Sequence, residues 1–201
     1  MKLFIYLITF FLLSTPVAMA NDLTHVETVV KDKIGVTIGF VRNKSMEKQT
    51  RNQNILNTLD PIFDYKRMAQ LSLGKRWKKL NKTKKKEFSE VFIKKAQESF
   101  LDKLDLYPDV NVEFKKAKQI KKKIHVLTNF TNHDDNIDVL FKFYKSKKKG
   151  WVVYDFEILG VSLIQTYRSQ FHGVLKDGNI DDLIKKLGST GIISMSKPEK
   201  S

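Results

Sequence analysis

The chain contains no cysteine. That absence excludes a disulfide framework, a Cys-ligated zinc site, an iron–sulfur cluster, a thiol nucleophile and a bacterial lipobox. Glycine and proline are sparse, at 9 and 4 of 201 residues, which argues against glycine-rich phosphate loops, collagen-like repeats and proline-rich linkers. The four histidines, His25, His125, His133 and His172, are scattered and form neither an HxH nor an HExxH pair, so no metal site is expected. Arginine is scarce too: Arg42, Arg51, Arg67, Arg76 and Arg168 stand against 32 lysines. No segment reaches the eighteen consecutive apolar residues of a membrane-spanning helix, so stable membrane insertion is not expected.

What is present is a chain of ordinary globular make-up, with 41% hydrophobic residues and a net charge of +15. The length suits one domain. Residues 1–20 read as a cleaved signal peptide. Lys2 supplies a positive start, Leu3 to Leu13 are apolar except Thr9, and Ala18-Met19-Ala20 is an A-x-A cleavage pattern. The mature chain then begins at Asn21 and carries 36 basic against 22 acidic residues. Lysines come in runs, as at Lys84 to Lys86, Lys121 to Lys123 and Lys147 to Lys149. Bidentate reading of phosphates and guanines favours the arginine fork, so the charge points to solvated faces or weak attraction to anionic membranes, and nucleic acid is not an expected partner.

Hydrophobic spacing orders the chain as helices, then strands, then helices. Leu23, Val26, Val29, Val30, Ile34 and Ile38 form a helical stripe within 22–41, and a second helix covers 52–59 up to Asp60-Pro61. Gly74 is placed to cap a helix containing Met68, Leu71 and Leu73. The strongest helical pattern, over 83–105, carries Phe88, Val91, Phe92, Ala96, Phe100 and Leu104. The period then becomes two. Val110, Val112 and Phe114 alternate, followed by Ile124, Val126, Thr128 and Phe130, then Ile137, Val139, Phe141 and Phe143, then Val152, Tyr154, Phe156 and Ile158. Helical spacing returns from Val161 to Leu175 and again from Asp181 to Leu187. The fold class is therefore α+β: a curved antiparallel sheet of about four to five strands packed against several helices. It forms one domain over 21–187, with a polar tail at 188–201.

Catalytic constellations are thin. Asp134-Asp135 and Asp181-Asp182 read as turn and helix-capping residues, and Ser162 as a hydroxyl N-cap between strand and helix. No G-x-S-x-G elbow exists, and the protein is not expected to be an enzyme. The surplus is aromatic: eleven of fourteen phenylalanines lie in the mature chain, where they either fill a core or surround an apolar pocket.

The segment Trp151-Val152-Val153-Tyr154-Asp155-Phe156-Glu157-Ile158-Leu159-Gly160-Val161-Ser162-Leu163 and the following Tyr167-Arg168-Ser169-Gln170-Phe171 resemble the signature of the MlaC (toluene-tolerance, Ttg2-type) family of periplasmic phospholipid-binding proteins. Phe63-Asp64-Tyr65-Lys66-Arg67-Met68-Ala69 and Leu73-Gly74-Lys75-Arg76-Trp77 are similar to its central helical segment. Thr83 is followed by Lys84-Lys85-Lys86 where the family usually has Pro-Glu-Gln, and Asp181-Asp182 stands where it often has Asp-Gly.

The resemblance implies a periplasmic carrier of a Gram-negative bacterium. Such a carrier encloses phospholipid acyl chains in an apolar cavity and shuttles them to maintain outer-membrane lipid asymmetry. The implied partners are an inner-membrane ABC transporter complex with an MCE subunit and an outer-membrane lipoprotein–porin complex. The protein would work as a monomer, without cofactor or metal, the phospholipid being cargo. Another amphiphile such as a hopanoid, or a chaperone or adaptor role, stands as the alternative. On this reading the lipid-contact candidates are Phe63, Met68, Leu71, Phe92, Phe100, Leu104, Phe141, Phe143, Tyr154, Phe156, Val161, Ile164 and Tyr167. Arg168 is expected either near the head group or capping a carboxylate such as Asp155. An enzyme reading would gather Tyr154, Asp155 and Arg168 in one polar pocket.

Overall fold

The computed structural model describes residues 15–189 apart from Leu106, Pro108, His133 and Asp134. Most of the expected leader and of the polar tail lies outside the described residues, as does part of the turn at 132–135. Four helices come first: α1 (Thr15–Arg42), α2 (Lys48–Leu59), α3 (Tyr65–Leu73) and α4 (Lys82–Leu104), with 3-10 turns at Asp60–Ile62 and Gly74–Lys79. Six strands follow: β1 (Asn111–Phe114), β2 (Lys118–Ile120), β3 (Lys123–Thr131), β4 (Asn136–Ser146), β5 (Gly150–Ile158) and β6 (Val161–Ser162). Helices α5 (Leu163–Asp177) and α6 (Ile180–Gly188) close the described chain.

Each helix boundary has a local cause. Asp64 caps α3 by accepting from the Arg67 N–H, and Asn81 caps α4 by accepting from Lys84. Asn179 and Asp182 form a reciprocal capping box on α6. Ser162 accepts from the Gln165 N–H at the start of α5, the N-cap role expected for it. Helix α2 starts four residues before the expected position because Glu47, an uncommon N-cap, accepts from both Gln49 and Thr50.

The sheet is antiparallel with order β1-β3-β4-β5-β6, and β2 pairs with β3 beyond the end of β1. Its extra members, β2 and β6, are three and two residues long, too short for alternation to reveal. Ile124, Val126 and Phe143 are buried on the helix-facing side, where Ile124 pairs with Phe143 and Val126 with Phe141. Buried residues from all six helices join the same core, including Val30, Ile55, Met68, Phe88, Phe92, Tyr167, Phe171 and Leu183.

One expectation about the sheet is corrected. Val152, Tyr154, Phe156 and Ile158 do not share a face, because a bulge lets Phe143 pair with Val153 while Lys142 pairs with Asp155. The surplus residue shifts the alternation. Val153 and Phe156 face the helices, while Tyr154 meets the Tyr144 ring edge-on at 5.9 Å, with the Lys123 ammonium over its face at 4.4 Å.

Candidate functional site

A narrow apolar crevice runs between α3, α4, α5 and the helix-facing side of β5. Its walls are Leu59, Phe63, Tyr65, Met68, Ala96, Phe100, Phe156, Leu163 and Tyr167. Phe63 sits there because the residues before α3 pair briefly with β5, the Asp64 N–H donating to the Val153 carbonyl at 2.9 Å. Its ring stacks on Tyr65 at 5.4 Å and stands edge-on to Phe156 at 6.4 Å. The enclosed volume is about 20 Å³, room for a single water molecule by the usual criterion of roughly 10–15 Å³. The crevice is thus far tighter than the expected pocket.

Polar groups hold one end of it. Gln97 on α4 donates to both oxygens of Asp60, at 3.0 and 3.1 Å. The Tyr65 phenol also hydrogen-bonds to Asp60. Burial, reinforced by that carboxylate, raises the phenol well above its ordinary pKa. Asp60 therefore ties the 3-10 turn to both α3 and α4.

Of the lipid-contact candidates, Phe63, Met68, Phe100, Phe156 and Tyr167 line the crevice. Phe92 lies directly behind, edge-on to Tyr167 at 5.0 Å, and Phe141 packs against Phe156 at 6.3 Å. Phe143 and Ile164 are buried in the core, and Leu71 and Leu104 pack half-buried against it. Tyr154 is turned to the other face of the sheet, and Val161 is 57% exposed at the start of β6. Sequence reasoning missed Leu59, Tyr65, Ala96 and Leu163 as wall residues. Ala96 and Leu163 belong to stripes already recognised; Tyr65 stands two residues after Phe63 on the same quoted segment.

Asp155 does not meet Arg168. It is 5% exposed and accepts from the Ser162 hydroxyl (2.8 Å), the Ile164 N–H (3.2 Å) and the Lys142 ammonium (3.1 Å). Lys142 also binds Glu157. Burial works to lower the Lys142 pKa, yet its hydrogen bonds to Glu157 and Asp155 leave it above the ordinary lysine value. Arg168 lies instead against Gly74, on the far side of α5's first turns. Tyr154, Asp155 and Arg168 therefore do not converge, which removes the geometry that a catalytic reading of them requires.

These shifts carry a stability prediction. Tyr65, Tyr167 and Lys142 all hold their protons more tightly in the fold than in the unfolded chain, burial being the cause for the two tyrosines. A raised folded pKa gives stability that is complete below the unfolded value and lost as pH rises past it. Melting temperature should hold up to about pH 10 and fall above it, and Tyr167→Phe should shallow that fall in calorimetry. An unchanged alkaline slope would assign the decline to other groups.

Comparison with known proteins places this arrangement. Residues 31–189 match the family described as MlaC protein. The chain belongs to the MlaC family. It is 25% identical over 153 residues, 72% of each chain, to the intermembrane phospholipid transport system binding protein MlaC of Haemophilus influenzae. It also shares its fold with the phospholipid-binding protein of Ralstonia solanacearum, whose structure was solved in complex with a phospholipid. That likeness has a TM-score of 0.68 at 23% identity and covers 82% of this chain and 93% of that one. The quoted tyrosine–aspartate to arginine stretch lies where the last long strand turns, through β6, into α5.

Proposed function

We propose that the protein is an exported phospholipid carrier whose acyl-chain site is the crevice between α3, α4, α5 and β5. The observation that carries this reading is the wall itself: five of its nine residues are aromatic, four are aliphatic, and no charged side chain lines it. Membership of the MlaC family and the phospholipid-binding names of its relatives support the same cargo.

Energetics require a closed site. Two acyl chains of roughly fifteen methylenes each, at about 0.8 kcal/mol per methylene, would cost on the order of 24 kcal/mol to leave in water. A shallow groove cannot offset that. A site for so large a ligand runs to roughly 300–1,000 Å³, so the crevice widens on loading and collapses when empty. Phe100 and Phe156, both half-buried at its edge, are the rings that yield, and the Asp60 contacts to Gln97 and Tyr65 are those that must loosen. Collapse protects the apolar wall from water during the passage of an unloaded carrier.

On this reading the leader at 1–20 is removed, the carrier works in the periplasm, and it exchanges lipid with an inner-membrane ABC transporter complex bearing an MCE subunit and an outer-membrane lipoprotein–porin complex. Among the described residues no helix is long and apolar enough to cross a membrane.

Expressing the full precursor in a Gram-negative host and weighing the periplasmic product by native mass spectrometry tests the reading. A mature mass beginning at Asn21, with an adduct extracting as about one phospholipid, is expected. A bare mass after gentle purification, with no uptake from phospholipid vesicles, would overturn it.

A further inference from the structure

A second cavity lies one helical turn along the α3–α5 seam. Met68 and Tyr167 line the crevice; Ser72 and Phe171, four residues on in each helix, line the second cavity. At a rise of 1.5 Å per residue the two are separated by about 6 Å along the helices. The wall between them is the Tyr167–Phe171 stack, with ring centroids 5.7 Å apart and nearly parallel planes. This notch has a volume of about 250 Å³, and Lys75, Arg76, Arg168 and His172 line it above a floor that includes Phe171 and Leu175.

The cations are gathered without a counter-charge. Among the described residues no ion pair involves any of these four side chains. Elsewhere the fold does pair its less exposed cations: Arg51 with Asp105, Lys84 with Glu87 and Asp181, Lys142 with Asp155 and Glu157. Three permanent positive charges around one cavity repel one another, and an anion placed among them removes that cost.

The backbone is also shaped for the arrangement. Gly74 has φ +57°, and a Cβ there would lie 2.9 Å from Arg168 Nη2 and 3.2 Å from Cζ. Glycine both permits the turn and lets the guanidinium lie flat on the main chain. Arg76 is anchored by a hydrogen bond to the Leu175 carbonyl and makes no other among the described residues. Two oriented arginine forks suit a tetrahedral oxyanion better than lysines would.

We propose that this notch binds a phosphate group, either the phosphodiester of a lipid whose chains occupy the crevice or a free phosphate ion. The lipid arm rests on the carrier reading given above; the free-ion arm does not.

The full mature protein, freed of lipid, is compared with its Arg76→Gln/Arg168→Gln variant in two measurements. In the first, both are offered vesicles doped with phosphatidylglycerol or with diacylglycerol of the same acyl chains. The wild type should take up the phosphodiester lipid at least about tenfold better, the scale of one charge-assisted hydrogen bond. The variant should lose that preference and keep its diacylglycerol uptake. In the second, melting is followed against inorganic phosphate at fixed ionic strength, and phosphate should raise the midpoint of the wild type alone. A variant-sensitive response to either probe upholds the notch and identifies its source. If neither lipid loads, the carrier reading fails and the phosphate titration alone decides. If neither probe distinguishes wild type from variant, the proposal is overturned.

Discussion

Phe100→Glu should leave the protein folded and strip it of lipid. Phe100 lines the crevice but is only half-buried, on the side of α4 that reaches its edge. A glutamate there can turn its carboxylate toward water while the crevice is closed, so the empty fold tolerates it. Once acyl chains enter, the same carboxylate must either be desolvated against methylenes or displace them. Desolvating an unpaired carboxylate costs several kcal/mol, and about 3 kcal/mol already lowers affinity by roughly a hundredfold. Phe100→Met, similar in volume and apolar, should retain cargo. The readout is lipid recovered per mole of purified protein, with circular dichroism to establish that both variants are folded. Equal lipid content in the glutamate variant would place the acyl chains elsewhere.

The contrast between Phe100 and Tyr154 explains how far the sequence could be read. Helical periodicity over 83–105 identifies the inward face of α4 without ambiguity, since Phe88, Phe92 and Ala96 are all buried there. That face carries the crevice wall with it. Strand alternation is more fragile, because one added residue exchanges the two faces. The bulge at Val153–Asp155 does this to β5: Tyr154 leaves the helix-facing side while Phe156 stays on it. Nothing in the local composition marks the bulge, since Val153 and Tyr154 are both good strand residues. Of the two surroundings expected for Arg168, the carboxylate of Asp155 is not the one it meets, because α5 turns the side chain toward Gly74, a neighbour remote in sequence. The resemblance to MlaC proteins identified the kind of site; only the packing of α3 against α5 separates an apolar crevice from a basic notch.

Asp155→Ala should be the most destabilising single substitution at the sheet–helix junction, at about 3–5 kcal/mol, the usual cost of breaking a buried charged network from one side. The carboxylate joins three elements: β4 through Lys142, β6 through Ser162, and the start of α5 through the Ile164 N–H. Removing it leaves the Lys142 ammonium, only 15% exposed, with Glu157 as its remaining partner. It also leaves an N–H unpaired at the N-terminus of α5, where the helix dipole favours negative charge. Asp155→Asn preserves one acceptor oxygen for Ile164 and should cost less than the alanine change. Because α5 carries Leu163 and Tyr167 into the crevice and Arg168 into the notch, the alanine variant should also release its lipid at a lower urea concentration than the asparagine variant. Urea unfolding followed by tryptophan fluorescence, with lipid content measured in parallel, tests both statements. Equal midpoints for wild type and Asp155→Ala would mean that β6 and α5 are held in place by apolar packing alone, and the polar junction would then have to be explained by specificity rather than stability.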